Sequence, residues 1–68
     1  MKRQHVLSSN LKSVGYESNT LEIEFKKSGI YQYYRVPKIV YNNLMTAPSL
    51  GKYFNYNIKD KYSYQKVA

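Results

Sequence analysis

The hydrophobic pattern of this chain changes period once, at Pro37, and that change limits what it can fold into. Before it, Leu21, Ile23 and Phe25 alternate with Thr20, Glu22 and Glu24, the period-2 signature of a strand with one buried face. Beyond it, Val40, Leu44 and Ala47 fall at i, i+4 and i+7, one stripe of a helix, with Pro37 suited to the first turn because its missing N–H needs no partner there. Strands first and helices second predict an α+β arrangement with helices on one sheet face. With 68 residues, there is room for one domain only.

The strand at 20–25 is followed by Lys27-Ser28-Gly29 and then by Ile30 to Val36, a run rich in β-formers, so the two should form a hairpin. A three-residue loop with Gly29 in the left-handed conformation would oppose Tyr31 to Phe25 and Tyr33 to Ile23, with both rings on the buried face. A two- or four-residue loop would bury Gln32 instead. Leu11 to Tyr16 reads as a preceding strand, with Leu11 and Ser13 on one face and Lys12, Val14 and Tyr16 on the other. Gly15 marks a bulge or a close backbone approach. Residues 1–7 lack periodicity and read as a flexible basic arm ahead of a single domain at 8–68. After Pro48, Ser49 is a good N-cap for a second short helix carrying Leu50, Tyr53 or Phe54, and Ile58. Residues 62–64 suggest a short extended edge. The expected fold is a three-stranded antiparallel meander covered by two short helices, with a possible final strand. Its core would be Leu21, Ile23, Phe25, Val40, Leu44, Phe54 and Ile58.

Chemistry is sparse. With no cysteine, disulfides, thiolate metal sites and cysteine nucleophiles are all excluded. His5 is the one histidine and falls in the basic arm, where it reads as solvated. Glu22 and Glu24 share a strand face, and that spacing is better explained by neutralisation from nearby Lys and Arg than by acid–base catalysis. Gly15, Gly29 and Gly51 are too scattered for a phosphate loop. No membrane span or leader pattern is present, so a cytoplasmic, non-enzymatic protein without cofactor or metal is expected.

The informative residues are basic and aromatic. Eleven Lys and Arg stand against four acids, for a net charge of +7, and nine of the eleven aromatic residues are tyrosines. Cations that follow a phosphate backbone and flat rings that stack on bases are what a single-strand nucleic-acid binder needs. An A/T-rich coding bias would also favour Lys, Asn, Tyr and Ile, so composition alone does not decide. The candidate nucleic-acid-binding set is Lys26, Lys27, Tyr34, Arg35, Lys38, Lys52, Lys59 and Lys61. Tyr31 and Tyr33 are assigned to the core, whereas Tyr34, beside Arg35 on the other face, is the stacking candidate.

One resemblance covers nearly the whole chain, from about Ser8 to Tyr64. Ser9-Asn10-Leu11-Lys12-Ser13-Val14-Gly15-Tyr16, Leu21-Glu22-Ile23-Glu24-Phe25, Gly29-Ile30-Tyr31-Gln32-Tyr33 and Val36-Pro37 with Tyr41 are similar to the KTSC domain. Leu44, Ala47, Ser49, Gly51, Tyr53-Phe54-Asn55 and Ile58 continue the pattern. That family occurs as short bacterial and phage proteins and as a C-terminal extension of some lysyl-tRNA synthetases. The resemblance implies a binding module, with RNA as the suggested ligand, and no catalytic residue. Pro48 and Leu50 depart from a commoner Ser/Ala-Ser-Lys-Gly run, which removes one positive charge at the helix start. The rival readings are a protein-interaction module, such as a phage factor docking on a host protein, and an oligomeric binder of a small anionic nucleotide.

Overall fold

The alternation at 20–25 is answered on both sides by antiparallel partners. A computed structural model describes all 68 residues and contains seven elements. They are β1 (Arg3–His5), β2 (Leu11–Glu17), β3 (Thr20–Phe25), β4 (Gly29–Tyr33), α1 (Lys38–Thr46), α2 (Leu50–Asn57) and β5 (Tyr64–Lys66). The five strands form one antiparallel sheet in chain order, so each strand pairs with its sequence neighbour. The fold is α+β as expected, but four strands rather than three precede the helices, and the final strand is present as β5, at 64–66 rather than 62–64.

The extra strand at the front is β1, in residues expected to be a loose arm. It pairs along β2, with Arg3 opposite Gly15 and His5 opposite Ser13. Gly15 makes this possible: a Cβ there would sit 2.7 Å from the Lys2 carbonyl oxygen. The close approach is therefore at Gly15, whereas the bulge lies earlier, between Leu11 and Ser13. That bulge corrects the expected faces of β2. Leu11 opposes Phe25 and Val14 opposes Ile23, so both turn toward the core although their spacing is odd.

The β3–β4 hairpin has a loop of the expected three residues, but they are Lys26-Lys27-Ser28 rather than Lys27-Ser28-Gly29, and Gly29 opens β4 at φ +97°. Its register is shifted by two residues from expectation. Phe25 pairs with Gly29, Ile23 with Tyr31 and Leu21 with Tyr33. An even shift preserves the faces, so both tyrosines still point toward the helices. The β2–β3 turn runs through Ser18 and Asn19, both at positive φ, the backbone of a tight two-residue hairpin.

Pro37 occupies the N-cap position just ahead of α1, without a side-chain capping bond, and Ser49 caps α2 by accepting from the Lys52 N–H at 3.3 Å. Both helices lie on one face of the sheet. The core between the layers joins Leu11, Val14, Leu21, Ile23 and Tyr33 of the strands to Leu44, Phe54, Ile58 and Val36. Phe25 and Val40, expected in the core, are only half-buried and pack on its margin. Val36 is fully buried, held by its N–H donating to the Asn19 carbonyl at 2.9 Å and by its carbonyl accepting from the Tyr16 hydroxyl at 2.6 Å.

Candidate functional site: an aromatic cleft at the hairpin tip

The register of β3, β4 and β5 brings five rings together at one end of the helix-covered face. Phe25 meets Tyr31, Tyr31 meets Tyr64, Tyr64 meets Tyr33, Tyr33 meets Phe54, and Phe54 returns to Phe25. The centroid separations run from 5.3 to 6.1 Å, so the rings close a circuit of edge-to-face and tilted contacts. A cleft of about 330 Å³ opens over them, with Ser28, Asn55, Lys59 and Asp60 completing its wall. Tyr33 and Phe54 form a buried floor, and Tyr64 is largely exposed. Burial, reinforced by the neighbouring Tyr31 and Tyr64 hydroxyls and by Asp60, pushes the Tyr33 hydroxyl up to about 12. Tyr31 and Tyr33 thus serve the core from one side and face the cleft from the other.

The predicted cations do not all gather here. Lys26 and Lys27 line a shallow groove that shares Phe25 and Ser28 with the cleft, and Lys59 is part of the cleft wall. Arg35, in a left-handed turn, and Lys38, opening α1, lie beyond the other end of β4. The five residues of β4, roughly 17 Å at the rise of a strand, separate the two groups. Lys52 belongs to a third surface with Pro48, Tyr53 and Tyr56. Lys61 is exposed in the turn after α2 and lines none of these hollows.

Tyr34 is on the opposite face of the sheet. Its hydroxyl donates to Gln32 Oε1 at 3.1 Å and lies 3.4 Å from Gln65 Oε1. Those bonds belong to a polar row that crosses the sheet. Gln32 donates to Glu22 at 2.8 Å, Arg3 pairs with Glu22 and Glu24, and Ser13 donates to Glu24 at 2.9 Å. The expected neutralisation of Glu22 and Glu24 is therefore met, with Lys12 assisting at 3.9 Å. Burial opposes the charge on Glu22, but hydrogen bonds from Gln32 and Arg3, with the Arg3 charge, outweigh it and hold the carboxyl below its ordinary range.

A sequence model of the KTSC domain matches residues 7–62. The chain belongs to the KTSC domain family. The crystal structure of a KTSC domain protein from Yersinia pestis superposes with a TM-score of 0.96 at 42% identity, covering 98% of this chain and 97% of that one. A protein of Stutzerimonas stutzeri is 41% identical across 98% of this chain and 99% of its own length. A lysine–tRNA ligase of Trichormus variabilis is 40% identical over 62 residues, which is 88% of this chain but 11% of the ligase. This chain spans about a tenth of the length of that enzyme. No helix of this chain is long and apolar enough to cross a membrane.

Sequence reasoning missed the KTSC residues that complete the cleft, chiefly Tyr64, Asn55 and Asp60, and with them Lys66 of the same strand as Tyr64. Tyr64 and Lys66 alternate with Gln65, a period-2 signal only three residues long. Their position follows from β5 pairing on β4, with Tyr64 opposite Tyr33 and Lys66 opposite Tyr31. A strand that short announces no partner.

Proposed function

We propose that this KTSC domain is a small, non-catalytic, cytoplasmic binding module for nucleic acid, most directly for single-stranded RNA. The observation that supports it is the aromatic cleft flanked by Lys26, Lys27 and Lys59. Phosphates meet the lysines while an unpaired base stacks on the half-exposed rings, the division of labour that single-strand binders use. The lysine–tRNA ligases that carry a matching segment work on an RNA, which favours the same ligand. Arg35, Lys38, Lys52 and Lys61 then contribute general positive potential rather than direct contacts.

The test is a titration of labelled single-stranded RNA at about 50 and 200 mM salt. Affinity should fall with a log–log slope of about −0.7 per phosphate engaged. Replacing Lys26 and Lys27 by Ala should flatten that slope. Replacing Tyr64 by Ala should cost about 1–3 kcal/mol with the slope unchanged, because stacking releases no counterions. Salt-indifferent binding, or none at 50 mM, rejects the reading. A protein partner is the second reading, favoured by Tyr56 at 75% and Ile39 at 61% exposure on the outer helix faces.

A further inference from the structure

We propose that the aromatic cleft takes a single guanine of an unpaired RNA strand, with the Asp60 carboxylate reading its Watson–Crick edge; this rests on the RNA reading above. Asp60 is the anomaly of the site. Of the four acidic side chains, Glu22 and Glu24 take all the ion pairs, and of the two left unpaired, Glu17 and Asp60, only Asp60 lines the cleft. It is held at φ 65° directly after Lys59, in a left-handed turn that places it on the cleft wall. Its charge reaches the buried floor, since it contributes to holding the proton on the Tyr33 hydroxyl.

An ionised carboxylate only accepts hydrogen bonds, through two oxygens set side by side. Among the bases, guanine alone presents two adjacent donors on its Watson–Crick edge, N1–H and N2–H₂. Adenine and cytosine place an acceptor beside their single donor, and uracil flanks its one N–H with carbonyls. A bare carboxylate beside stacking rings therefore selects guanine and repels the others. The cleft, at about 330 Å³, lies at the small end of ligand sites and suits one base rather than a larger ligand. Cations for the flanking phosphates are at hand. Lys59 is on the wall, and the Lys66 Cε lies 3.1 Å from where a Gly29 Cβ would stand. The same rings and carboxylate would suit a quaternary ammonium. The +7 charge and these two lysines oppose a cationic ligand.

Three labelled nine-nucleotide RNAs test this: all uridine, and uridine with one central G or one central A, each titrated at one fixed salt concentration. The G-containing strand should bind about tenfold more tightly than the other two, the discrimination of one bidentate carboxylate–base pair. Asp60→Asn suits the left-handed turn, so the fold should persist with an unchanged melting midpoint. It should erase the G preference while affinity for the A strand stays level or rises slightly. Binding that is equal for all three strands overturns the guanine assignment and leaves the RNA module standing. Asp60→Asn strengthening all three equally also overturns it, since Asp60 would then be a repelling charge only. Binding to none of the three removes both readings. Shifts of the cleft ring resonances on adding a trimethyllysine peptide, with no RNA binding, would assign the cleft to a cation instead.

Discussion

Tyr33 sits where the core and the cleft share one ring, and its hydroxyl ties the stability of the fold to alkaline pH. Its folded-state value is pushed up to about 12, against an ordinary 10.0. Above pH 10 the unfolded chain releases this proton while the folded chain keeps it, so stability should fall between pH 10 and 12. Urea unfolding at pH 9 and 11 checks this, and Tyr33→Phe should lessen the difference. Gly29 is the other residue with a sharp expectation. At φ +97°, with an added Cβ falling 2.3 Å from the Ala68 carbonyl oxygen, Gly29→Ala should cost about 1–3 kcal/mol. Hydrogen exchange should then quicken first at Ile30, whose N–H donates to that same carbonyl. Gly29 was legible in the sequence because a tight hairpin demands one residue at positive φ, although it opens β4 rather than closing the loop. The double role of Tyr33 was not, because it depends on a ring contributed from β5.

Among the elements, the presence of the central hairpin, its buried face and both helices could be read directly, since period, glycine and cap residues agreed locally, whereas the hairpin register came out two residues away. β1 and β2 could not. Three residues of β1 carry no apolar alternation, and what fixes them is Arg3 reaching across β2 to Glu22 and Glu24. The bulge in β2 breaks the parity on which any face assignment rests. Arg3→Ala should therefore release β1 and leave Glu22 without its ionic partner, costing about 1–3 kcal/mol. Amide exchange should rise in β1 while β3 and β4 stay protected. Acid should act through the same contact. With the Glu22 carboxyl held below its ordinary value, the stability it supplies is complete above that value and is lost as pH falls through the folded one. Glu22→Gln should reduce this acid sensitivity. Core truncation provides the contrast. Ile23→Ala should cost about 2–5 kcal/mol, and Phe25→Ala less than a fully buried ring would, because Phe25 lies on the cleft margin.

At the scale of the molecule, charge repels itself. Nine of the eleven Lys and Arg have no carboxylate partner, within a body only 25 × 24 × 22 Å. Many therefore lie within about 8 Å, one Debye length at physiological salt, of a like charge. Raising salt from about 10 to 200 mM should increase the melting temperature even as it weakens RNA binding, and scanning calorimetry separates the two. The strand order has a mechanical consequence as well. β1 and β5 occupy the two outer edges of the sheet. A pull applied through these terminal strands acts across the ladders and opens their hydrogen bonds one after another, a peeling that resists far less than sliding strands past each other. Drawn from either end by an unfolding motor, the domain should yield at low force, losing an edge strand before the helices move.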